Sequence, residues 1–172
     1  NDKVKHHKSF KGTVKNNTLD HGTLLYNECH PRFYKMFEGK FEKGSPFNGK
    51  LYFCANHPEY FVFEGIDNKP MFKENGDMKE GKVCLKVIGE ENEMFDENNY
   101  YSWTGTFDNN LPDQPGIFKF FVDNDIIEEI EGFFTQNEKF QTTRKRLIQR
   151  TQNHFYKCKE YLIKSLYKKM SN

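Results

Sequence analysis

The sequence predicts a mainly β fold: an elongated, single-layer array of about five antiparallel β-hairpins followed by a C-terminal α-helix. Three observations carry this. Aromatic residues make up 16% of a chain that is only 35% hydrophobic, with 18 Phe, 9 Tyr and 1 Trp in 172 residues. Rings pack well across a pleated surface, so a core drawn from them favours strands. An aromatic residue or Ile, one residue, then Gly recurs five times. Beyond Phe140 there is no Gly or Pro, and apolar residues recur every three or four positions.

The five segments are Phe10-Lys11-Gly12, Phe37-Glu38-Gly39, Phe63-Glu64-Gly65, Trp103-Thr104-Gly105 and Ile130-Glu131-Gly132. Two residues after each Gly stands Val14, Phe41, Asp67, Phe107 or Phe134. A second Gly follows in the first four, at Gly22, Gly49, Gly76 or Gly81, and Gly116, each ahead of an apolar stretch such as Leu51-Tyr52-Phe53. The fifth unit lacks this second half. Each unit reads as one hairpin. In Phe37-Glu38-Gly39-Lys40-Phe41 apolar and polar residues alternate at the period of a strand, Lys43-Gly44-Ser45-Pro46 has turn chemistry, and Gly49 to Phe53 returns as the partner. A lone hairpin is barely stable in water, so the units must stack. Gly inside a strand leaves room for a neighbour's ring or backbone, which explains why ring and Gly recur together.

This pattern resembles the membrane occupation and recognition nexus (MORN) repeat, whose units run aromatic-x-Gly-x-aromatic, a turn, then a second Gly and an apolar strand. Phe37 to Phe53 matches best and Trp103 to Phe120 second; the resemblance covers roughly Ser9 to Phe140. The chain departs from the family in its longer spacings, in Phe where Tyr and Trp are usual, and in Asp67 at an aromatic position. The resemblance implies a twisted single sheet of hairpins, attachment to cytoskeletal, ciliary or membrane-associated structures, and a link to acidic phospholipid. An OB-like barrel closed by a terminal helix is the rival fold.

Three regions follow: an N-terminal arm over 1–8, the repeat domain over 9–141, and a basic amphipathic helix over 142–172. The repeat domain carries an acidic insertion near 88–101, around Glu90-Glu91-Asn92-Glu93, which stretches the third Gly spacing to 40 residues. Net charge is +1 but unevenly spread. Residues up to Thr142 carry 17 Lys and Arg against 24 Asp and Glu, and those after it carry 9 against 1. In the helix, Thr142 or Thr143 is the cap, and Leu147, Thr151, Phe155, Cys158, Leu162, Leu166 and Met170 form the apolar stripe. Its first half is expected to cover the end of the array and its second half to meet a partner.

Recognisable enzyme chemistry does not appear. None of the five Ser lies in a Gly-x-Ser-x-Gly elbow, and the sequence has no phosphate-cradling Gly loop or dinucleotide fingerprint. The acidic clusters have no calcium-loop spacing and read as solvated charge. Cys29-His30 and Cys54-His57 recur in successive repeats as two Cys/His pairs, but the His-Pro in each is turn chemistry, so no metal is assigned. Four Cys without a Cys-x-x-Cys pair fit a reducing compartment. No run of 18 apolar residues can span a bilayer as a helix, and the first residues carry no signal peptide. The missing initiator Met reads as a chain trimmed, processed or cut from a longer protein.

The functional expectation is a non-catalytic protein–protein interaction scaffold or structural subunit of a larger assembly, cytoplasmic and not secreted, with no catalytic residue and no cofactor. Phe37, Phe41, Phe63, Trp103 and Phe107 are expected near the contact surface. Arg144, Lys145, Arg146, Arg150, Lys157, Lys164 and Lys168 are expected to dock the helix. The expected partners are proteins, with acidic phospholipid and a homodimer compatible. Nucleic acid is disfavoured by the acidic body. The alternatives are a nucleic-acid-binding barrel and the regulatory segment of a larger enzyme.

Overall fold

In a computed structural model, residues 6–28, 30–57, 60–85, 100–122, 125–134 and 140–147 are described; for 114, 115, 118 and everything from 120 onward this is the backbone alone. Ten strands follow one another: β1 (His7–Lys15), β2 (Thr18–Tyr26), β3 (Tyr34–Glu42), β4 (Ser45–Phe53), β5 (Tyr60–Glu64), β6 (Glu80–Leu85), β7 (Tyr100–Asp108), β8 (Leu111–Val122), β9 (Asp125–Phe134) and β10 (Phe140–Leu147). Each pairs antiparallel with the next, in sequence order from β1 to β10. This consecutive, open order differs from an OB barrel, in which Greek-key connections close the sheet.

Three hairpins close through two-residue turns: Asn16-Asn17, Lys43-Gly44 and Asn109-Asn110, with φ of 52° and 62°, 52° and 77°, and 49° and 62°. Two successive left-handed residues match the twist of the flanking strands, and Asn and Gly adopt that conformation at least cost.

Register turns the sequence repeat into a row across the sheet. Gly12 faces Gly22, Gly22 faces Gly39, and Gly39 faces Gly49. Gly65 N–H donates to Gly49 O at 2.9 Å, Gly81 faces Gly105, and Gly116 faces Gly132. Of the two candidates in the third repeat, Gly81 holds the row. The strands come so close here that a Cβ on Gly49 would overlap Glu38 O and Gly39 Cα, and one on Gly116 would overlap the Trp103 ring. Two residues before the first Gly of each unit, on the same face of the sheet, a second row runs Phe10, Leu24, Phe37, Leu51, Phe63, Val83, Trp103. All but Phe10 are fully buried.

The sheet folds along the glycine row. Phe37 and Phe41 are four residues apart, about 13 Å along an extended strand, yet their ring centroids lie 5.2 Å apart, edge to face across Gly39. Register shifts between Thr13 and Val14 and between Lys40 and Phe41 place a bulge just past Gly12 and Gly39, and the shift between Thr104 and Thr106 places one at Gly105 itself. A bulge bends a strand and increases its twist. The strongest sign is Tyr60. Register sets it beside Leu85 and Leu85 beside Tyr101. Asn110 lies nine residues beyond Tyr101, about 30 Å of extended chain. Even so, Tyr60 Oη donates to Asn110 O at 2.6 Å.

The segment between β5 and β6, 65–79, closes the space so formed. Met71 and Met78 are buried in it. Met71 N–H donates to Phe47 O at 2.9 Å, and Gly49 N–H to the Met71 sulfur at 3.1 Å. Lys79 N–H donates to Met71 O at 2.7 Å and Phe107 N–H to Lys79 O at 2.9 Å, so the segment ties β4 to β7. Arg32 pairs with Asp77 at 3.1 Å and secures it to the connection between β2 and β3.

The structure corrects three expected boundaries. His7 and Lys8 belong to β1 and not to an arm. Part of the extra third spacing lies in 65–79; Tyr100 and Tyr101 begin β7, and residues 88–99 of the acidic insertion lie outside the described residues. Thr142 to Leu147 form strand β10 where a helix was expected to begin, and residues 148–172 lie outside the described residues. The register explains the correction: Arg144 stands opposite Glu131 and Arg146 opposite Glu129. Residues of opposite charge at facing positions favour strand pairing, and the local helix signal loses to it.

Gly49→Val is expected to lower unfolding free energy by about 3 kcal/mol, because the new side chain meets backbone that cannot yield. Lys11→Ala, exposed on the other face, is expected to change it by less than about 0.5 kcal/mol. Urea unfolding followed by circular dichroism measures both.

Candidate interaction surface

The five rings expected near the contact surface are interior. Phe37, Phe63 and Trp103 are 0% exposed, Phe41 2% and Phe107 3%. They share the glycine face, and the fold at the glycines closes that face upon itself. Phe63 meets Phe107 edge to face at 5.3 Å and Phe72 at 5.7 Å. The face left outside this core is the opposite one, exposed or half-buried over β1 to β5 and buried at Cys84 and Ser102.

Strand alternation decides what that face carries. Next to the glycine row stand Lys11, Thr23, Glu38, Lys50, Glu64 and Lys82 in register across six strands. Lys50 Nζ and Glu64 Oε1 are 3.5 Å apart, and the nearby carboxylate raises the Lys50 pKa. An exposed pair of this kind adds little stability. One row further on, Leu25, Met36, Tyr52, Val62 and Cys84 form an apolar stripe. It grades from Leu25, 37% exposed, through half-buried Met36, Tyr52 and Val62 to buried Cys84, whose thiol burial pushes up to about 11.

At the ends of the strands, the two His-Pro segments do the same work in successive repeats. His30 stacks on Tyr34 with centroids 4.6 Å apart, and its Nδ1 accepts Arg32 N–H at 3.1 Å. His57 stacks on Tyr60 at 4.9 Å, and its Nδ1 accepts Tyr60 N–H at 2.8 Å. In the neutral ring these bonds leave the proton on Nε2. Each His thus locks the connection onto the first aromatic residue of the next hairpin. Cys54 Sγ lies 3.6 Å from Tyr34 O, and Cys29 is outside the described residues. Among the described residues no three His, Cys, Asp or Glu side chains are grouped to hold a metal ion.

Phe33 was not singled out in the sequence. It is 36% exposed, at φ 60°, a conformation that costs a bulky residue about 1–2 kcal/mol. Its N–H donates to His30 O at 2.9 Å and its carbonyl accepts Cys54 N–H at 2.7 Å; its ring meets His57 at 5.5 Å. These contacts hold the strained residue with part of its ring in solvent. No residue-type signal marks the position, because Gly or Asn is the usual occupant.

Of the expected basic docking residues, Arg144, Lys145 and Arg146 are in β10 beside acidic β9, and Arg150, Lys157, Lys164 and Lys168 lie outside the described residues. Comparison of the chain with family models, with curated proteins and with solved structures returns no match. No helix among the described residues is long and apolar enough to cross a membrane.

Burial, followed by the charges of His6, Arg32 and His7, lowers the His30 pKa to about 4. Unfolded, the ring titrates near 6.5, so the unfolded chain binds the proton first as pH falls. The stability that His30 contributes is complete above pH 6.5 and is lost as pH falls from there towards 4. Urea unfolding at pH 7 and pH 5 is expected to show a smaller loss in His30→Phe, which keeps the stack but cannot take the proton.

Proposed function

We propose that this chain is a non-catalytic interaction scaffold or structural subunit, a MORN-like hairpin array that presents its outer face to a protein partner. The observation that carries this reading is the glycine row. Units that resemble MORN repeats in sequence stand in one register from β1 to β9, so a residue at a given place in one hairpin has its equivalent beside it in the next. Such an array spends one face on its own core and spreads the other as rows, here charges beside an apolar stripe. The resemblance further suggests a cytoskeletal, ciliary or membrane-associated setting and a link to acidic phospholipid.

The test is purification of the chain with its partners at low salt, beside the variant Met36→Glu/Tyr52→Glu. Both sites are half-buried on the outer face, so the fold should survive with the stripe broken. A protein that co-purifies with the parent at least fivefold more than with the variant supports the scaffold reading. Recovery of lipid or nucleic acid without a protein overturns it.

A further inference from the structure

We propose that the free edge of β1 is a strand-addition site for an acidic, extended segment of a partner protein. This rests on the scaffold reading and names the chemistry of the partner. Strand β1 has nine residues and, among the described residues, pairs on one side only, with β2. Along its other side, alternate backbone N–H and C=O groups are available to a further strand. Every residue of β1 except His7 and Phe10 is exposed, including Val14 at 60%.

Charge selects the occupant. Strand β1 carries Lys8, Lys11 and Lys15 and no acidic residue, and among the described residues no ion pair engages any of the three. At the joints between hairpins, the residue before the glycine in the leading strand is Glu38 in β3, Glu64 in β5, Thr104 in β7 and Glu131 in β9, so three of the four are acidic, and Glu64 meets Lys50 of the preceding strand. In β1 the same place is Lys11, with the sign reversed, so an added strand meets it best with a carboxylate. Lysines on an edge also repel other basic edges. Among the described strands a second copy offers as edges β1 itself or basic β10, which disfavours self-association along either. The chain already contains the matching pair: acidic β9 lies against basic β10, with Glu131 opposite Arg144 and Glu129 opposite Arg146.

The experiment uses the 172-residue chain and a synthetic peptide with the sequence 125–134, followed by fluorescence anisotropy and by backbone amide shifts. The expected result is shifts confined to His7–Lys15 and the facing β2 residues, with affinity falling at least tenfold between 50 and 300 mM salt. The Lys8→Glu/Lys11→Glu/Lys15→Glu variant, checked for unchanged circular dichroism, is expected to bind at least tenfold more weakly. A peptide with its three Glu replaced by Lys should restore binding to that variant alone. Absence of binding, shifts at β8 or β10 in place of β1, equal binding to the charge-reversed variant, or sedimentation as a dimer that buries β1 each overturns the proposal. If the parent chain retains a protein partner while the peptide fails, the edge assignment falls and the scaffold reading stands.

Discussion

Two strands can approach closely only where neither carries a side chain, and the architecture depends on that constraint being met at the same height in successive strands. A Cβ on Gly49 would meet Glu38 O and Gly39 Cα. With hydrogens there instead, the backbones close up, the bulges at or just past the glycines bend the hairpins, and rings on either side of the row come together. A single-layer sheet ordinarily has no interior. This one obtains a core by folding over its own aromatic rows, which is why Trp103, Phe37 and Phe63 are completely buried with no helix packed on them among the described residues.

The third repeat shows what happens when the pattern is interrupted. Gly65 to Gly81 spans 16 residues where Gly12 to Gly22 and Gly39 to Gly49 span ten. The extra length, 65–79, becomes a plug: Met71 enters against the glycine row and its sulfur takes the Gly49 N–H, a donor left facing the interior. Asn110 completes the closure, since its carbonyl accepts from Tyr60 and its side-chain oxygen accepts Met78 N–H at 2.8 Å. The buried Tyr60 hydroxyl is thereby satisfied, and its pKa is raised by burial. A polar group in such a place costs heavily without a partner.

Much of this was legible in the sequence because the repeat is written in residue types with unambiguous mechanics. Ring-x-Gly and the second Gly named nine of the strands by position, and the idea that each Gly makes room for a neighbour's ring holds at Gly116 and Trp103. The same idea should have placed Phe37, Phe41, Phe63, Trp103 and Phe107 inside, since residues two apart share a face with the glycine between them. What stayed hidden depends on partners distant in sequence. Thr142 to Leu147 carries a helix signal locally, and only the register with β9 shows why it is a strand. His30 and His57 read in the sequence as His-Pro turn chemistry, and only the positions of Tyr34 and Tyr60 show them as stacking locks. The strain at Phe33 has no composition to announce it.

Function follows from which face is consumed. The glycine face belongs to the core, so the proposed recognition is assigned to the outer rows and to the β1 edge. The most direct measurement of the central claim is a nuclear Overhauser contact between the Tyr60 ring and the backbone amides around Asn110, in a chain deuterated at every carbon except those of the Tyr rings and dissolved in ordinary water. A sheet folded along its glycines predicts a cross-peak, since the hydroxyl and the Asn110 carbonyl oxygen are 2.6 Å apart. An unfolded, flat sheet would hold those groups roughly 30 Å apart along the strand direction, and the absence of the cross-peak would contradict the account.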